Sequence, residues 1–290
     1  MNKIGMSYTY WTQEWDVDIN PYIDKAATLG MDVLEVNAGT VGNMPSAERK
    51  KLKGHADARN LGLSFCFGLP PECDLASEDE AVRRNGILSL TKIAQSIGEI
   101  GGGRISGVLY GCWPAFLPLG VTDKRPYVDR SMSSMKQVIK AAEDNNVILN
   151  MEVVNRYEHY LMNTAEEAVD YVKGVDSPNA KVLLDTFHMN IEEDTIASAV
   201  ETAGNYLGHI HLGENNRKTP GNGHFPWEEL ANALKKVNYQ GWLVMEPFLT
   251  QGGQIGHAVR IWRDVGKGMD LDKEAIKAAR FVRARLAEAV

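Results

Sequence analysis

Short, nearly unbroken apolar runs alternate along the chain with longer stretches in which apolar positions recur every three or four residues. That is the pattern of strands buried on both faces, each followed by an amphipathic helix. Eight strand-like runs occur, at 4–10, 33–37, 63–68, 104–110, 147–154, 181–186, 207–212 and 242–246. Helical periodicity fills the intervals at 21–29, 47–60, 78–97, 127–144, 165–173, 195–203, 227–236 and 258–263, and a further helix is expected over 271–289. Ser77 with Glu80 and Thr164 with Glu167 have capping-box spacing, and Pro226 stands just before a helix. Gly30, Gly62 and Gly98 follow helices where a left-handed residue is wanted. Eight βα repeats with no linker or composition break predict an α/β fold, a closed (β/α)8 TIM barrel, as one domain over 1–290 with the helix from about 271 on its outside.

In such a barrel the chemistry sits at the C-terminal ends of the strands, and several runs end in polar residues there. Parity places Ile148, Asn150 and Glu152 on one face of the fifth strand, and Leu183 with Asp185 on one face of the sixth. It likewise pairs His209 with His211 on the seventh strand, and Trp242 and Val244 with Glu246 on the eighth. Any one of these alone reads as a helix cap or a hydrogen-bonded filler. Four at adjacent strand ends would each cost several kcal/mol to bury unpaired, so a cation is expected among Glu152, Asp185, His211 and Glu246. Three carboxylates and one imidazole suit Mn²⁺ first, then Co²⁺ or Mg²⁺, rather than a structural zinc. Trp15, Trp113 and Phe248 fall just beyond the first, fourth and eighth strands, where aromatics wall a pocket. His55, His159 and His257 read as surface or loop residues, and Gly252 with Gly253 as a flexible turn.

Charge and cysteine content narrow the partners. A net charge of −7 would repel a polyanion, which argues against nucleic acid and favours a small neutral molecule. Cys66, Cys73 and Cys112 are odd in number and lack C-x-x-C spacing, as expected of a reduced cytoplasmic protein. The start, MNKIGMSYTYW, lacks the basic-then-apolar layout of a signal peptide, and no membrane span is expected.

The segments EVVNRYE, LLDTFHMNIEE, GHIHLGENNR, PGNGHFPW and VMEPF, with SYTYW, DKRPYVDR and IWRDVGKG, resemble the signature segments of the D-tagatose 3-epimerase and D-psicose (allulose) 3-epimerase family over nearly the whole chain. The resemblance implies metal-dependent C3 epimerisation of free ketoses through an enediolate, with Glu152 and Glu246 as acid/base pair as well as metal ligands. It further implies that Glu158, His188 and Arg217 hold the carbonyl-side hydroxyls, and that the chain forms a homodimer or homotetramer. Ser7 stands where relatives carry an aromatic near the far end of the sugar, and His224 replaces an Arg of the PGxGR segment; with Cys66, Ser7 completes the candidate pocket set. The rival readings are an aldose–ketose or hydroxypyruvate isomerase, an endonuclease IV-like phosphodiesterase, which would want more histidine ligands and a basic surface, and a non-catalytic sugar-binding barrel.

Overall fold

The computed structural model describes residues 2–289, so Met1 and Val290 of the expected span lie outside the described residues. Eight parallel strands close into a barrel in sequence order: β1 (Ile4–Ser7), β2 (Val33–Asn37), β3 (Gly62–Cys66), β4 (Gly103–Gly107), β5 (Val147–Val153), β6 (Ala180–Asp185), β7 (Leu207–Leu212) and β8 (Trp242–Met245). Strand residues facing outward, such as Leu34, Val36, Phe65, Ile105, Leu149, Met151, Leu184 and Ile210, are buried beneath the helices, which explains the continuous apolar runs.

The interior is filled in tiers. At the N-terminal end the guanidinium of Arg104 lies 4.7 Å over the ring of Trp242, and the Lys3 ammonium lies 5.4 Å from the same ring. Above them a fully buried polar tier contains Glu35, Ser64, Ser106, Asn150 and His209. Strand tilt steps the register, pairing Glu152 with Leu183, and Asp185 with His211, so the last inward residues of β5, β6 and β7 reach the mouth together.

Two expected strands are shorter than their apolar pattern. β1 ends at Ser7 and turns into a 3₁₀ segment, Tyr8–Tyr10, closed by the Trp11 N–H donating to Tyr8 O at 3.0 Å. β4 ends at Gly107, whose φ of 116° and close approach to Phe67 O, 2.4 Å from where a Cβ would stand, require glycine. The expected helix at 258–263 is instead Gly253–Ala258, so Gly253 opens a helix rather than a loose turn. Two further short helices, Ala38–Asn43 and Thr186–Glu192, follow β2 and β6 directly.

Thr164 caps Ala165–Val175 as its spacing predicts, accepting from Glu167 N. Ser77 does not cap the following helix; Asp79 does, and Glu80–Gly98 starts two residues late. Of the three expected left-handed glycines only Gly30 has positive φ; Asn60 and Gly101 take the role near the other two. The C-terminal helix Leu271–Glu288 packs outside the barrel against β1 and the helix Trp227–Lys236. Among the described residues no helix is long and apolar enough to cross a membrane.

Candidate active site

One ligand atom each from Glu152, Asp185, His211 and Glu246 lies within 4.8 Å of the others, at the C-terminal mouth of the barrel. Asp185 is divided between two tasks. Its Oδ1 accepts from Phe187 N at 2.6 Å and caps the helix Thr186–Glu192, while its buried Oδ2 has no hydrogen-bond donor. The Tyr110 hydroxyl donates to the backbone carbonyl of Glu152 at 2.9 Å and fixes the end of β5. His211 points Nδ1 toward Glu152 Oε1 at 3.3 Å and Glu246 Oε2 at 3.5 Å, and Nε2 toward Glu35 Oε1 at 2.7 Å.

The cluster sets three carboxyl groups around one imidazole. Burial pushes the His211 imidazole down, but Glu246, Glu35 and Glu152 override it and hold the group well above the ordinary value. Burial pushes the carboxyls of Glu152 and Asp185 up, with mutual repulsion among Glu152, Asp185 and Glu246 adding to the shift. An oxygen-rich set with an orphaned carboxylate oxygen at its centre fits a divalent metal ion.

Above the cluster opens a cavity of about 400 Å³, within the range of small-molecule sites. Glu152, Glu158, His188, Arg217 and Glu246 line its base; Ser7, Trp15, Cys66, Trp113 and Phe248 line its walls. Asp185 and His211 lie beneath the lining, and His224 is exposed outside it.

The polar groups of the base brace one another. Arg217, in left-handed backbone with φ 62°, lies 3.8 Å over the Phe187 ring and 5.1 Å from that of Phe248. Its guanidinium reaches Glu158 Oε1 at 3.2 Å and Asp185 Oδ2 at 3.5 Å, and its Nη1 keeps no hydrogen-bond partner. Burial pushes the Glu158 carboxyl up, but His188, Arg217 and the N–H groups of Trp113 and Asn155 outweigh it and hold it below its usual value. His188 Nδ1 accepts from the Asn155 backbone N–H at 3.1 Å, so a neutral ring carries its hydrogen on Nε2, the atom nearer Arg217. Burial pushes the His188 pKa down, against the opposing pull of the Glu158 and Asp185 carboxylates.

Three buried residues, two of them at the site, escaped the sequence. Glu35 stands in the middle of the apolar run VLEVN, and Asn155 follows β5; neither spacing signals a partner across the barrel. His159, expected at the surface, is fully buried, stacked on Tyr160 with ring centroids 5.1 Å apart.

The description "xylose isomerase-like TIM barrel" fits a family model that matches residues 23–279, and the chain belongs to that family. Within it the chain belongs with the D-psicose 3-epimerases: it is 43% identical to the D-psicose 3-epimerase of Ruminiclostridium cellulolyticum, over 97% of each chain. It is 30% identical to an L-ribulose 3-epimerase of Methylomonas sp., over 95% of this chain and 94% of the other. A crystal structure of D-psicose 3-epimerase with D-tagatose from Clostridium cellulolyticum H10 superposes with a TM-score of 0.95, at 43% identity, covering 98% of this chain and 99% of that one.

Proposed function

We propose that the protein interconverts free ketoses that differ in configuration at C3, with D-fructose, D-psicose and D-tagatose as the first substrates and L-ribulose beside them. The observation that carries this reading is the placement of Glu152 and Glu246. Their carboxylate oxygens lie within 4.8 Å of each other, of Asp185 and of His211, at the base of a cavity of about 400 Å³. D-psicose and L-ribulose epimerases among the relatives support the same substrate class.

Epimerisation breaks the C3–H bond on one face and makes it on the other. One of the two glutamates takes the proton as carboxylate; the C3–H electron pair forms C2=C3 and the carbonyl π pair moves onto O2, giving an enediolate. The other glutamate, protonated, delivers its hydrogen to the opposite face of C3; the C2=C3 pair makes the new C3–H bond and the pair on O2 restores the carbonyl. The reverse reaction exchanges the two roles. Glu152, Asp185, His211 and Glu246 would hold the divalent cation, Mn²⁺ first and Co²⁺ or Mg²⁺ next. When bound it supplies Lewis-acid stabilisation of negative charge developing on oxygen. His188 Nε2–H and Arg217 Nη1, which makes no hydrogen bond within the protein, donate to O1 and O2, and Glu158, held by Trp113 and Arg217, accepts from a hydroxyl. Trp15, Trp113 and Phe248 pack on the sugar's apolar faces, with Ser7 and Cys66 on the same walls. Phe116 and Leu119, exposed on the loop after β4, support a homodimer or homotetramer, and the free Cys66, Cys73 and Cys112 support a reducing cytoplasm.

The test is exchange of solvent deuterium into C3 of D-fructose by the Mn²⁺-loaded protein. Exchange with epimer formation is expected in the unaltered protein and neither in Glu152→Gln or Glu246→Gln. Near-normal exchange by either variant would sink the two-carboxylate scheme, and no turnover of any of these ketoses would sink the function.

A further inference from the structure

We infer that Glu35 is a positioning residue for the metal centre, one that fixes which nitrogen of His211 carries hydrogen and so leaves Nδ1 free to bind the ion. The inference rests on the four-ligand reading above and adds to it a residue from the opposite side of the barrel.

A neutral imidazole has one donor nitrogen and one acceptor, and a metal binds only the acceptor. Glu35, as a carboxylate, can only accept. Its Oε1 lies 2.7 Å from His211 Nε2, closer than Glu152 and Glu246 come to Nδ1 at 3.3 and 3.5 Å, so the neutral ring that a metal ion requires carries its hydrogen on Nε2 and turns the Nδ1 lone pair into the four-residue cluster. Both Glu35 and His211 are fully buried, so no water can substitute for this contact.

Glu35 is itself held. Ser64 Oγ donates to its Oε2 at 2.9 Å, and His209 Nε2 stands 3.1 Å from the same oxygen, without hydrogen-bond alignment. An apolar side chain would fill this tier without the cost of burying a carboxylate, so filling space does not account for the residue. A carboxylate behind a ligating histidine orients the ring and raises its basicity, and losing such a partner weakens metal binding roughly 10–100-fold.

The experiment is a Mn²⁺ titration of metal-free protein, followed by the electron paramagnetic resonance of the free aquo ion, with the melting temperature of each metal-free variant recorded alongside. One ion per chain is expected. The Kd should rise roughly 10–100-fold in Glu35→Gln and by less in Ser64→Ala, which leaves the carboxylate but loosens it. Ser64→Ala also serves if Glu35→Gln does not fold. A purely structural Glu35 would lower the metal-free melting temperature and leave the Kd within twofold of wild type; that result overturns the inference. Glu35, Cys66, His211 and Glu246 also lie within 4.8 Å of one another, so two ions per chain falling to one in Glu35→Gln would make Glu35 a ligand and overturn it as well. Absence of Mn²⁺ binding by the unaltered protein would instead overturn the four-ligand reading on which the inference stands.

Discussion

The indole N–H of Trp113 donates to Glu158 Oε2 at 3.0 Å, tying a wall of the cavity to an acid at its base. The loop after β4 therefore holds a polar group that the loop after β5 presents. Trp113→Phe keeps the aromatic face and removes the donor. The KM for D-fructose should rise about 3–10-fold as Glu158, still held by Arg217, is placed less firmly, with a smaller change in kcat. Steady-state kinetics check this, and an unchanged KM would show that the bond does not orient Glu158.

Asn155 places two donors on His188 Nδ1, its backbone N–H at 3.1 Å and its side-chain Nδ2 at 2.7 Å. Asn155→Ala removes the shorter one and lets the ring turn. Because His188 is assigned to substrate rather than metal, kcat/KM should fall about tenfold while the Mn²⁺ Kd stays put. A parallel loss of metal affinity would contradict that assignment.

Metal removal should lower stability as well as activity. An ion bound only by the folded state stabilises it by about 2.7 kcal/mol at a hundredfold excess over its Kd. Prolonged treatment with a chelator should lower the melting temperature, and stoichiometric Mn²⁺ should restore it. In Asp185→Asn, which gives up a charged ligand, that recovery should be largely absent.

His159 gives the protein an acid sensitivity of its own. Burial pushes its pKa down to about 3, below the ordinary value of 6.5. Between those values the unfolded chain takes up a proton that the folded one refuses. Stability is therefore complete above about pH 6.5 and falls as pH drops toward 3, by up to about 1.4 kcal/mol per pH unit. Urea unfolding at pH 7 and pH 5 should show a smaller loss in His159→Gln than in wild type; equal losses would place the acid sensitivity elsewhere.

Glu214 is fully buried and accepts from Gly221 N at 2.7 Å, Phe225 N at 3.1 Å and Trp227 Nε1 at 2.8 Å. This carboxylate gathers the loop that carries Arg217. Glu214→Ala strands two buried donors, Phe225 N and Trp227 Nε1, and should cost about 2–4 kcal/mol, read by urea unfolding, with kcat/KM falling as Arg217 loses its place.

The eight strands and the convergence of Glu152, Asp185, His211 and Glu246 were legible because both follow from local pattern: apolar runs mark strands buried on two faces, and parity selects the inward residues. The errors lie where a neighbour distant in sequence decides. Tyr8–Tyr10 and Val108–Tyr110 look like strand, yet the contact of Gly107 with Phe67 O and the turn after Ser7 end the ladders early. Glu35 reads as a stray polar residue because its partners His209 and His211 are met only when the barrel closes. His159 sits in a polar-looking segment, and what buries it is packing against Tyr110 and Tyr160.

The stepped register of the strands also divides labour along the chain. The four candidate ligands come from β5 to β8, whereas most of the cavity wall, Trp15, Phe67, Leu69, Pro70 and Trp113, comes from the loops after β1, β3 and β4. In the proposed reaction, proton transfer and the reading of the sugar's far end would therefore be written in different halves of one polypeptide. On that reading, substitutions in the first half would retune which ketose is accepted while the second half kept its chemistry. Glu35, reaching across from β2, is the point at which the two halves are not independent.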